Sequence, residues 1–348
     1  MLKSFSVKNF RGLKELNIND LEHVNIIAGR NNAGKTALLE AIFLHAGSVN
    51  PLLALVINGM RGMERIAVDN SPNADLPWDC LFPDYDNKVQ IEFVGSDKEN
   101  ARRAVTLRTE KPKSVQIEVG ATIQKLIPDI LVLEYENENH KIHKVELRLE
   151  QGGPRMDPVL PVPTNAILVS ARRSNSSSED AQRYGKLEVE KRESLLLEAL
   201  KSIEPRIQRI AMIVIAGEPV LHGDVGTARL LPLPLMGEGM VRLATIVLSI
   251  LSAPDGIVLI DEVENGIHHS VMENIWRAIA KVARQNYTQI VSTTHSLECI
   301  QAAHRAFKDS QPYDLRVHRL DKHNSKTTVQ TYDQETLEAA LCEGFEVR

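Results

Sequence analysis

The sequence predicts an α/β fold: a sheet with helices packed on it, an antiparallel β subdomain and a helical lobe. The last third of the chain alternates apolar strand patterns with helical patterns, as chains that pack helices on a sheet do. The middle, about 50–165, has short alternating runs broken by prolines, which is typical of antiparallel strands. Near the N-terminus an apolar strand, a glycine-rich turn and a helical pattern follow one another.

Several elements can be placed in chain order. The run at 256–260 is wholly apolar, which favours a strand buried in a parallel sheet. A long helical pattern ends before Pro205, because proline cannot continue a helix. The predicted strands are 3–9, 23–28, 88–94, 103–108, 114–119, 144–149, 166–170, 210–216, 256–260, 288–292, 314–319 and 327–332. The predicted helices are 35–45, 186–204, 239–252, 268–284 and 296–307.

Composition narrows the class of protein. The 348 residues are 43% hydrophobic and 25% charged, as in ordinary globular proteins. No apolar run reaches the ~18 residues of a membrane-spanning helix, and the first residues lack the apolar core of a signal peptide. The cysteines, Cys80, Cys299 and Cys342, are too far apart for a disulfide framework or a zinc site. We therefore expect a cytoplasmic protein with no membrane partner.

A glycine-rich loop follows the strand at 23–28. The run Gly29-Arg30-Asn31-Asn32-Ala33-Gly34-Lys35-Thr36, here called the phosphate loop, fits the pattern G-x-x-x-x-G-K-[ST] in its required strand–loop–helix context. Glycines let backbone N–H groups converge on phosphate oxygens, and the helix N-terminus adds the positive end of its dipole. We expect Lys35 to reach the β- and γ-phosphates of ATP and the Thr36 hydroxyl to bind Mg²⁺.

Two acidic residues, here called the acidic pair, end the strand at 256–260. A parallel strand delivers Asp261 to the carboxyl edge of the sheet, where open α/β sheets bind ligands. We expect Asp261 to hold Mg²⁺, directly or through water, and Glu262 to polarise the attacking water. The alternative is that the two acids are solvent-exposed and cap the next helix. The presence of a phosphate loop in the same chain makes this alternative less favoured.

Two other motifs suggest contacts with phosphate. The segment Leu235-Met236-Gly237-Glu238-Gly239-Met240-Val241-Arg242, here called the signature segment, opens a helix with glycines and resembles another anion site. It cannot easily reach the phosphates held by the first loop, so it is expected to serve those of a second subunit. His295 follows the strand at 288–292 and is expected to sense a γ-phosphate; a structural histidine is the alternative.

The order of these motifs resembles the ATP-binding-cassette class of P-loop NTPases. Within it, the chain is similar to the soluble SMC, RecF and OLD (overcoming lysogenization defect) group. The likeness lies in Val7-Lys8-Asn9-Phe10-Arg11-Gly12, in Asn31-Asn32-Ala33 and in the run from Asp261 to His268. It covers residues 1–48 and 164–332, and it is strongest toward small stand-alone OLD-like ATPases of defence loci.

The resemblance implies a set of site residues and partners. ATP would lie between two subunits arranged head to tail, in a dimer or a higher homo-oligomer. The nucleotide-binding residues would be Arg11, Gly29, Asn31, Asn32, Ala33, Gly34, Lys35, Thr36 and Ala37 of one subunit and Gly237, Glu238 and Gly239 of the other. Lys35, Glu262 and His295 would be catalytic, with Thr36 and Asp261 as Mg²⁺ ligands.

The resemblance also suggests a division of the chain and a role. One ATPase domain, 1–348, would comprise a phosphate-loop core (1–50), a β-rich insert (51–165), a helical or lid segment (166–230) and a part with the signature, acidic strand and switch histidine (231–348). The ATP-bound dimer would control a partner, such as a separately encoded Toprim-like nuclease, in anti-phage defence.

Two other functions stay open. Gly237 stands where signature motifs of the class usually carry a serine that contacts the γ-phosphate. That difference favours a nucleotide-gated sensor or scaffold with little hydrolysis. A RecF-like DNA-repair ATPase is the third reading, but the net charge of −5 weighs against DNA binding. The basic residues around Arg172 and Arg173 are interleaved with acids, which favours a solvated helical face.

Overall fold

The structure, a computed structural model, describes residues 1–63, 75–111, 129–150, 153–171, 177–323 and 326–348. The strand predicted at 114–119 and residues Arg172 and Arg173 lie outside these ranges. Within them, none of the helices combines the length and the apolar content needed to cross a bilayer.

Strands occur along most of the described chain. They are β1 Leu2–Phe10, β2 Leu13–Ile18, β3 Val24–Gly29, β4 Ile91–Asp97, β5 Arg102–Glu110, β6 Ile130–Glu136, β7 Ile142–Glu150, β8 Gly153–Asp157, β9 Ala166–Val169, β10 Arg209–Ile215, β11 Glu218–Asp224, β12 Leu231–Pro232, β13 Ile257–Ile260, β14 Gln289–Thr293, β15 Leu315–His323 and β16 Lys326–Tyr332.

The α-helices of the same ranges are mostly in the second half. They are α1 Lys35–Ala46, α2 Leu53–Met60, α3 Ser177–Val189, α4 Glu193–Leu200, α5 Glu238–Leu251, α6 Met272–Gln285, α7 Leu297–Lys308 and α8 Gln334–Cys342.

Three sheets organise these elements. A six-stranded sheet, in the order β16-β15-β3-β14-β13-β9, is parallel except for the β15–β16 pair. A seven-stranded antiparallel sheet runs in the order β2-β1-β4-β5-β6-β7-β8. A small antiparallel sheet, β10-β11-β12, leads into the signature segment. The predicted α/β fold with an antiparallel subdomain is confirmed, and that subdomain recruits β1 and β2 from the N-terminal segment.

The six-stranded sheet separates two hydrophobic cores. Along β3, Val24, Ile26 and Ala28 pack with α5, α6 and α7, whereas Ile27 packs with α1 and the antiparallel sheet. Successive side chains of a strand point to opposite faces, so a strand buried on both faces is mainly apolar. This double burial explains the wholly apolar run of β13 and the mainly apolar run of β3. The buried exception in β3 is Asn25, whose side-chain amide donates hydrogen bonds to the carbonyl oxygens of Glu22 and Ile290.

The helix predicted at 186–204 is wrong in its extent. The structure has α3 starting at Ser177, then a break, then α4. Lys191 adopts φ +56, Arg192 N donates to Leu187 O and Lys191 N donates to Glu188 O. This is the Schellman end of a helix, which is usually marked by glycine. A lysine in that place gives no signal in the sequence.

Several elements were not predicted. They are α2, α8, β2, β6, β8, β11 and β12. The span between the strand predicted at 210–216 and the signature segment, for which no element was predicted, contains β11 and β12. Helix α8 begins with a capping box between Asp333 and Thr336. Threonine replaces the usual Glu or Gln of that motif, so the start of α8 was not recognised.

Candidate nucleotide-binding site

The phosphate loop joins β3 to α1 at the carboxyl edge of the six-stranded sheet. Gly29 has φ +139, and a Cβ there would lie 2.5 Å from the carbonyl oxygen of Leu320 on β15. Gly34 has φ +103, and a Cβ there would lie 2.6 Å from a methyl group of Leu13. Both positions need glycine, because of their backbone conformation and the close approach of neighbouring atoms.

The side chain of Lys35 curls into this loop. Its Nζ donates hydrogen bonds to Gly29 O at 2.6 Å and to Arg30 O at 3.1 Å. Burial lowers the pKa of Lys35, while the charges of Asp261, Glu262 and Glu264 act in the opposite direction. The loop, the lysine and the acidic pair therefore form one electrostatic unit.

Thr36 and Asp261 lie side by side although 225 positions separate them in the chain. Thr36 Oγ1 donates to Asp261 Oδ1 at 3.0 Å. Thr293, at the end of the intervening strand β14, donates to the same carboxylate oxygen at 2.7 Å. Mg²⁺ prefers oxygen ligands and is held in nucleotide sites by one or two protein groups together with phosphates and water. The hydroxyl and carboxylate brought together here fit that ion.

Glu262 is held in an unusual backbone conformation. Its φ is +48, its N–H donates to Thr293 Oγ1 at 2.8 Å, and its Oε2 accepts a hydrogen bond from Asn265 Nδ2 at 2.8 Å. Non-glycine residues at positive φ carry strain that the surrounding structure must offset, and such residues concentrate at functional sites. Thr293 thus fixes both acids of the pair.

These groups surround a cavity of about 620 Å³, within the range of small-molecule sites. Its lining comprises Arg11, Gly12, Leu13, Asn31, Asn32, Gly34, Lys35, Thr36, Ala37, Glu40, Met60, Arg61, Leu168, Ser170, Ala171, Asp261, Glu262 and Lys322. Ala33 and Gly29, which also belong to the phosphate loop, are buried and are not part of this lining. The structure thereby groups most of the predicted phosphate-loop residues with Arg11 and the acidic pair.

The cavity also contains two residues that the sequence analysis missed, Glu40 and Arg61. Glu40 is 2% exposed and lies on α1 four residues after Thr36. Residues four apart in a helix share a face, and that spacing was the available signal for Glu40. Nothing comparable in the sequence marks Arg61, which follows α2.

His295 does not line the cavity. Its side chain is 52% exposed, its Nδ1 lies 3.1 Å from Glu264 Oε1, and its backbone N–H donates to the same oxygen at 3.0 Å. It sits just beyond the end of β14, as the sequence predicts. Its role as a γ-phosphate sensor stays a prediction.

Residues Gly237, Glu238 and Gly239 of the signature segment also lie away from the cavity lining. Gly237 and Glu238 are exposed at the start of α5, and neighbouring Leu235 is 77% exposed. Gly239 packs against the backbone of Gly266, where an added Cβ would lie 3.2 Å from the carbonyl oxygen. This start of a helix therefore presents its backbone to the outside of the chain.

Arg242 connects the signature helix to the acidic strand. Its guanidinium donates to the carbonyl oxygens of Ser170 at 3.1 Å, of Asp261 at 2.6 Å and of Glu262 at 3.2 Å. Burial lowers its pKa, and the nearby acids Asp261, Glu264 and Glu262 act in the opposite direction. The arginine therefore braces the chain just beyond the ends of β9 and β13.

Comparisons with known proteins agree with this arrangement. The family described as "AAA domain, putative AbiEii toxin, Type IV TA system" matches residues 84–300, and the family described as "AAA ATPase domain" matches residues 1–156. An ATP/GTP phosphatase of Helicobacter pylori is 23% identical over 97% of this chain and 97% of its own length. The DNA replication and repair protein RecF of Lactobacillus johnsonii is 53% identical over 45 residues, 13% of this chain and 12% of its own.

The whole fold resembles that of solved structures such as an SMC head. The crystal structure of an SMC head bound to the C-winged helix domain of ScpA has a TM-score of 0.52 and 12% identity, and the match covers 98% of this chain and 99% of that chain. At that identity the likeness concerns the fold. The match over residues 84–300 means that the chain belongs to the first of the two AAA-domain families above, and its fold is similar to that of the SMC head.

Proposed function

We propose that this protein is a Mg²⁺-dependent ATPase whose ATP-bound, head-to-tail dimer controls a partner effector. The observation that carries the proposal is the separation of two half-sites. The phosphate loop and acidic pair line one cavity, while the signature segment is exposed elsewhere on the same chain. A second copy, docked head to tail, would bring its signature helix to the first copy's cavity.

The roles of individual residues follow from their positions. Lys35 binds the β- and γ-phosphates, and the N–H groups of the phosphate loop hold their oxygens. Thr36 and Asp261 hold Mg²⁺, which neutralises charge on the phosphates. Glu262 orients the attacking water, and Thr293 keeps both acids in place. Catalysis in this scheme is positioning combined with electrostatic stabilisation.

A role in defence is supported by the family description, which names a toxin of a type IV toxin–antitoxin system. Among the described residues, no group of three or more His, Cys, Asp or Glu residues is arranged to hold a metal ion. A second, metal-dependent catalytic centre therefore has no candidate in that part of the chain. We propose that the effector, for instance a Toprim-like nuclease, is a separate protein.

The decisive experiment measures the mass of the protein in solution with and without ATP and Mg²⁺, for the wild type and for Glu262→Gln. The variant retains the ligands of the nucleotide but cannot orient water as a carboxylate does. We expect the variant to shift to twice the protomer mass, or to a higher multiple, only when ATP and Mg²⁺ are present. A mass that ATP leaves unchanged in both proteins would contradict the gated dimer.

A second candidate is a nucleotide-gated sensor with little hydrolysis, and Gly237 favours it. The residue has φ +115 and no side chain, so a partner copy would meet its backbone only. Glu262→Gln separates the two candidates in a cell-based assay of effector activation. A sensor keeps its response when hydrolysis stops, whereas a cycle driven by hydrolysis loses it.

A further inference from the structure

The buried carboxylate of Glu40, which lines the cavity, interacts with two arginines, Arg11 and Arg61. Glu40 Oε1 accepts from Arg61 Nε at 2.6 Å and Glu40 Oε2 accepts from Arg61 Nη2 at 3.0 Å, which is the bidentate geometry of a strong pair. Arg11 Nε lies 2.9 Å from the same Oε2. Three separate segments of chain, before β2, in α1 and after α2, thus meet at Glu40.

Arg11 is the more firmly fixed of the two arginines. Its Nη2 donates to Asn58 Oδ1 at 3.0 Å, and its guanidinium lies 5.6 Å from the centre of the Phe10 ring. Asn58 is anchored in turn, because its Nδ2 donates to Pro77 O at 2.5 Å. The side chain of Arg61 is 36% exposed, and its guanidinium is held by Glu40.

The charges of this cluster do not cancel. One carboxylate faces two guanidinium groups, and the excess positive charge borders the cavity that also contains Lys35. Two arginines held this close repel one another unless an anion lies between them. Glu40 supplies that anion from the helix that begins at the phosphate loop.

We propose that Glu40 is a positioning residue that holds Arg61, beside Arg11, against the cavity wall so that Arg61 contributes to nucleotide binding. The inference rests on the proposed function, since it assigns a role within the same site. In this arrangement Arg61 contacts the anionic part of the nucleotide. The contact requires Glu40, which holds the Arg61 side chain in place. A purely structural Glu40 would stabilise the fold without changing what Arg61 contributes.

The test is a double-mutant cycle on ATP binding by the full chain in the presence of Mg²⁺. The variants are Glu40→Gln, Arg61→Gln and the double variant, and the dissociation constant for ATP is measured for each. In the wild-type background we expect Arg61→Gln to weaken binding about tenfold, the loss of one charged contact. In the Glu40→Gln background the same change should matter less than about twofold, because Arg61 is already displaced.

Folding is checked separately. Unfolding midpoints are recorded for every variant, and Glu40→Asp replaces Glu40→Gln if the latter does not fold. Aspartate keeps the charge but is too short to reach both arginines, so it should also reduce the contribution of Arg61. Glu273→Gln is the matched control: Glu273 accepts from Arg277 at 2.7 Å and from Arg305 at 3.0 Å, on α6 and away from the cavity lining.

The outcomes are distinct. An Arg61→Gln effect of equal size in both backgrounds, or no effect in the wild type, overturns the role assigned to Glu40. Lys35→Ala is measured in parallel as a test of the site itself. If that variant binds ATP as the wild type does, the proposed function fails; if it loses ATP while the cycle shows no coupling, only the inference about Glu40 fails.

Discussion

The two halves of the predicted ATP site differ in how completely one chain builds them. On the phosphate-loop side, Thr36, Asp261 and Thr293 come from three different elements and are joined by hydrogen bonds of 2.7 to 3.2 Å. On the signature side, Gly237 and Glu238 are exposed at the start of a helix and stand apart from the cavity. The phosphate-loop half is organised within one chain. In the proposed dimer, the signature half would contact nucleotide only when it docks on a second copy.

This difference has a consequence for energetics. Groups that are already in place lose little further freedom when a ligand arrives, so the phosphate-loop half is suited to bind nucleotide by itself. In the proposed head-to-tail dimer, the exposed half would gain its interactions only on association, so its effects would belong to the equilibrium between monomer and dimer. Substitutions in the two halves should therefore separate binding from association.

The largest effect is expected for Lys35→Ala. The change removes the cation whose Nζ lies within the phosphate loop. We expect ATP affinity to fall about 1,000-fold, about 4 kcal/mol, with the unfolding midpoint nearly unchanged. Calorimetric titration with ATP and Mg²⁺ measures it.

Lys322→Ala is the control for that variant, because Lys322 lines the same cavity but is exposed. Its loss should change affinity less than about threefold, as screened surface charges do. Equal effects of the two substitutions would mean that the cavity attracts ATP by its overall charge and that the loop has no special role.

The next effect concerns association. Leu235 is 77% exposed beside the signature helix, so Leu235→Glu should leave the fold and the monomer's ATP affinity intact. We expect ATP-dependent self-association to weaken about 100-fold, because a charge enters the interface. Light scattering over a concentration series in the Glu262→Gln background measures it.

Tyr287→Glu serves as the comparison, since Tyr287 is 67% exposed before the amino end of β14, at the opposite edge of the sheet. It should associate as the parent does. If both substitutions weaken association equally, the signature side is not the specific interface.

A smaller effect is expected for Arg242→Ala, which removes the brace between the two halves. Three backbone carbonyls lose their guanidinium partner. The free energy of unfolding should fall by about 2 kcal/mol, the cost of leaving buried acceptors unpaired. Urea unfolding followed by circular dichroism provides the value.

Lys281→Ala is the matched surface change, because its partner Glu198 and Lys281 itself are both more than half exposed. It should cost less than about 1 kcal/mol. If Arg242→Ala lowers the free energy of unfolding by no more than Lys281→Ala does, Arg242 does not stabilise the acidic strand as described.

The smallest effect is a dependence of stability on pH. His45, at the far end of α1 from the phosphate loop, is buried, and burial lowers its pKa to about 4. The unfolded chain, with a pKa near 6.5, binds the proton first as the pH falls, so acid favours unfolding in that window. Between pH 6.5 and about 5.5 we expect His45 to account for a loss of about 1 kcal/mol.

Urea unfolding of the wild type and of His45→Gln at these two pH values isolates this contribution. The variant should lose less stability on acidification than the wild type, whatever its absolute stability. Parallel curves for the two proteins would contradict a neutral, buried His45. Histidines elsewhere, such as buried His318, whose pKa is also lowered by burial, cancel in the comparison.

The sequence predicted the features that depend on local pattern or on strand order. The phosphate loop is contiguous in the sequence. The acidic pair directly follows an apolar run, which predicts a buried parallel strand that ends at the carboxyl edge of the sheet. The proximity of Thr36 and Asp261 follows from these two facts. The sequence analysis did not single out Thr293, although this residue ends β14, the strand between β3 and β13.

Two kinds of feature were not predicted. In one, residues distant in the sequence come together in the fold; in the other, a helix ends at a residue that does not usually end helices. Arg61 and Glu40 meet because α2 packs beside α1, and the sequence carries no pattern for that packing. Lys191 ends α3 in a conformation that usually requires glycine. The antiparallel sheet joins β1 to β4 across a long stretch of chain, so its extent could not be taken from the region 51–165 alone.

The position of β3 between β14 and β15 has a consequence for synthesis on the ribosome. The strand is made among the first thirty residues, yet both of its neighbours lie beyond residue 288. Such long-range pairing is slow to form, and an unpaired apolar strand is prone to aggregate. Nascent chains therefore carry β3 and the phosphate loop without their neighbouring strands until β14 and β15 have been synthesised. The phosphate-loop side of the cavity can thus be completed only after these two strands have joined β3.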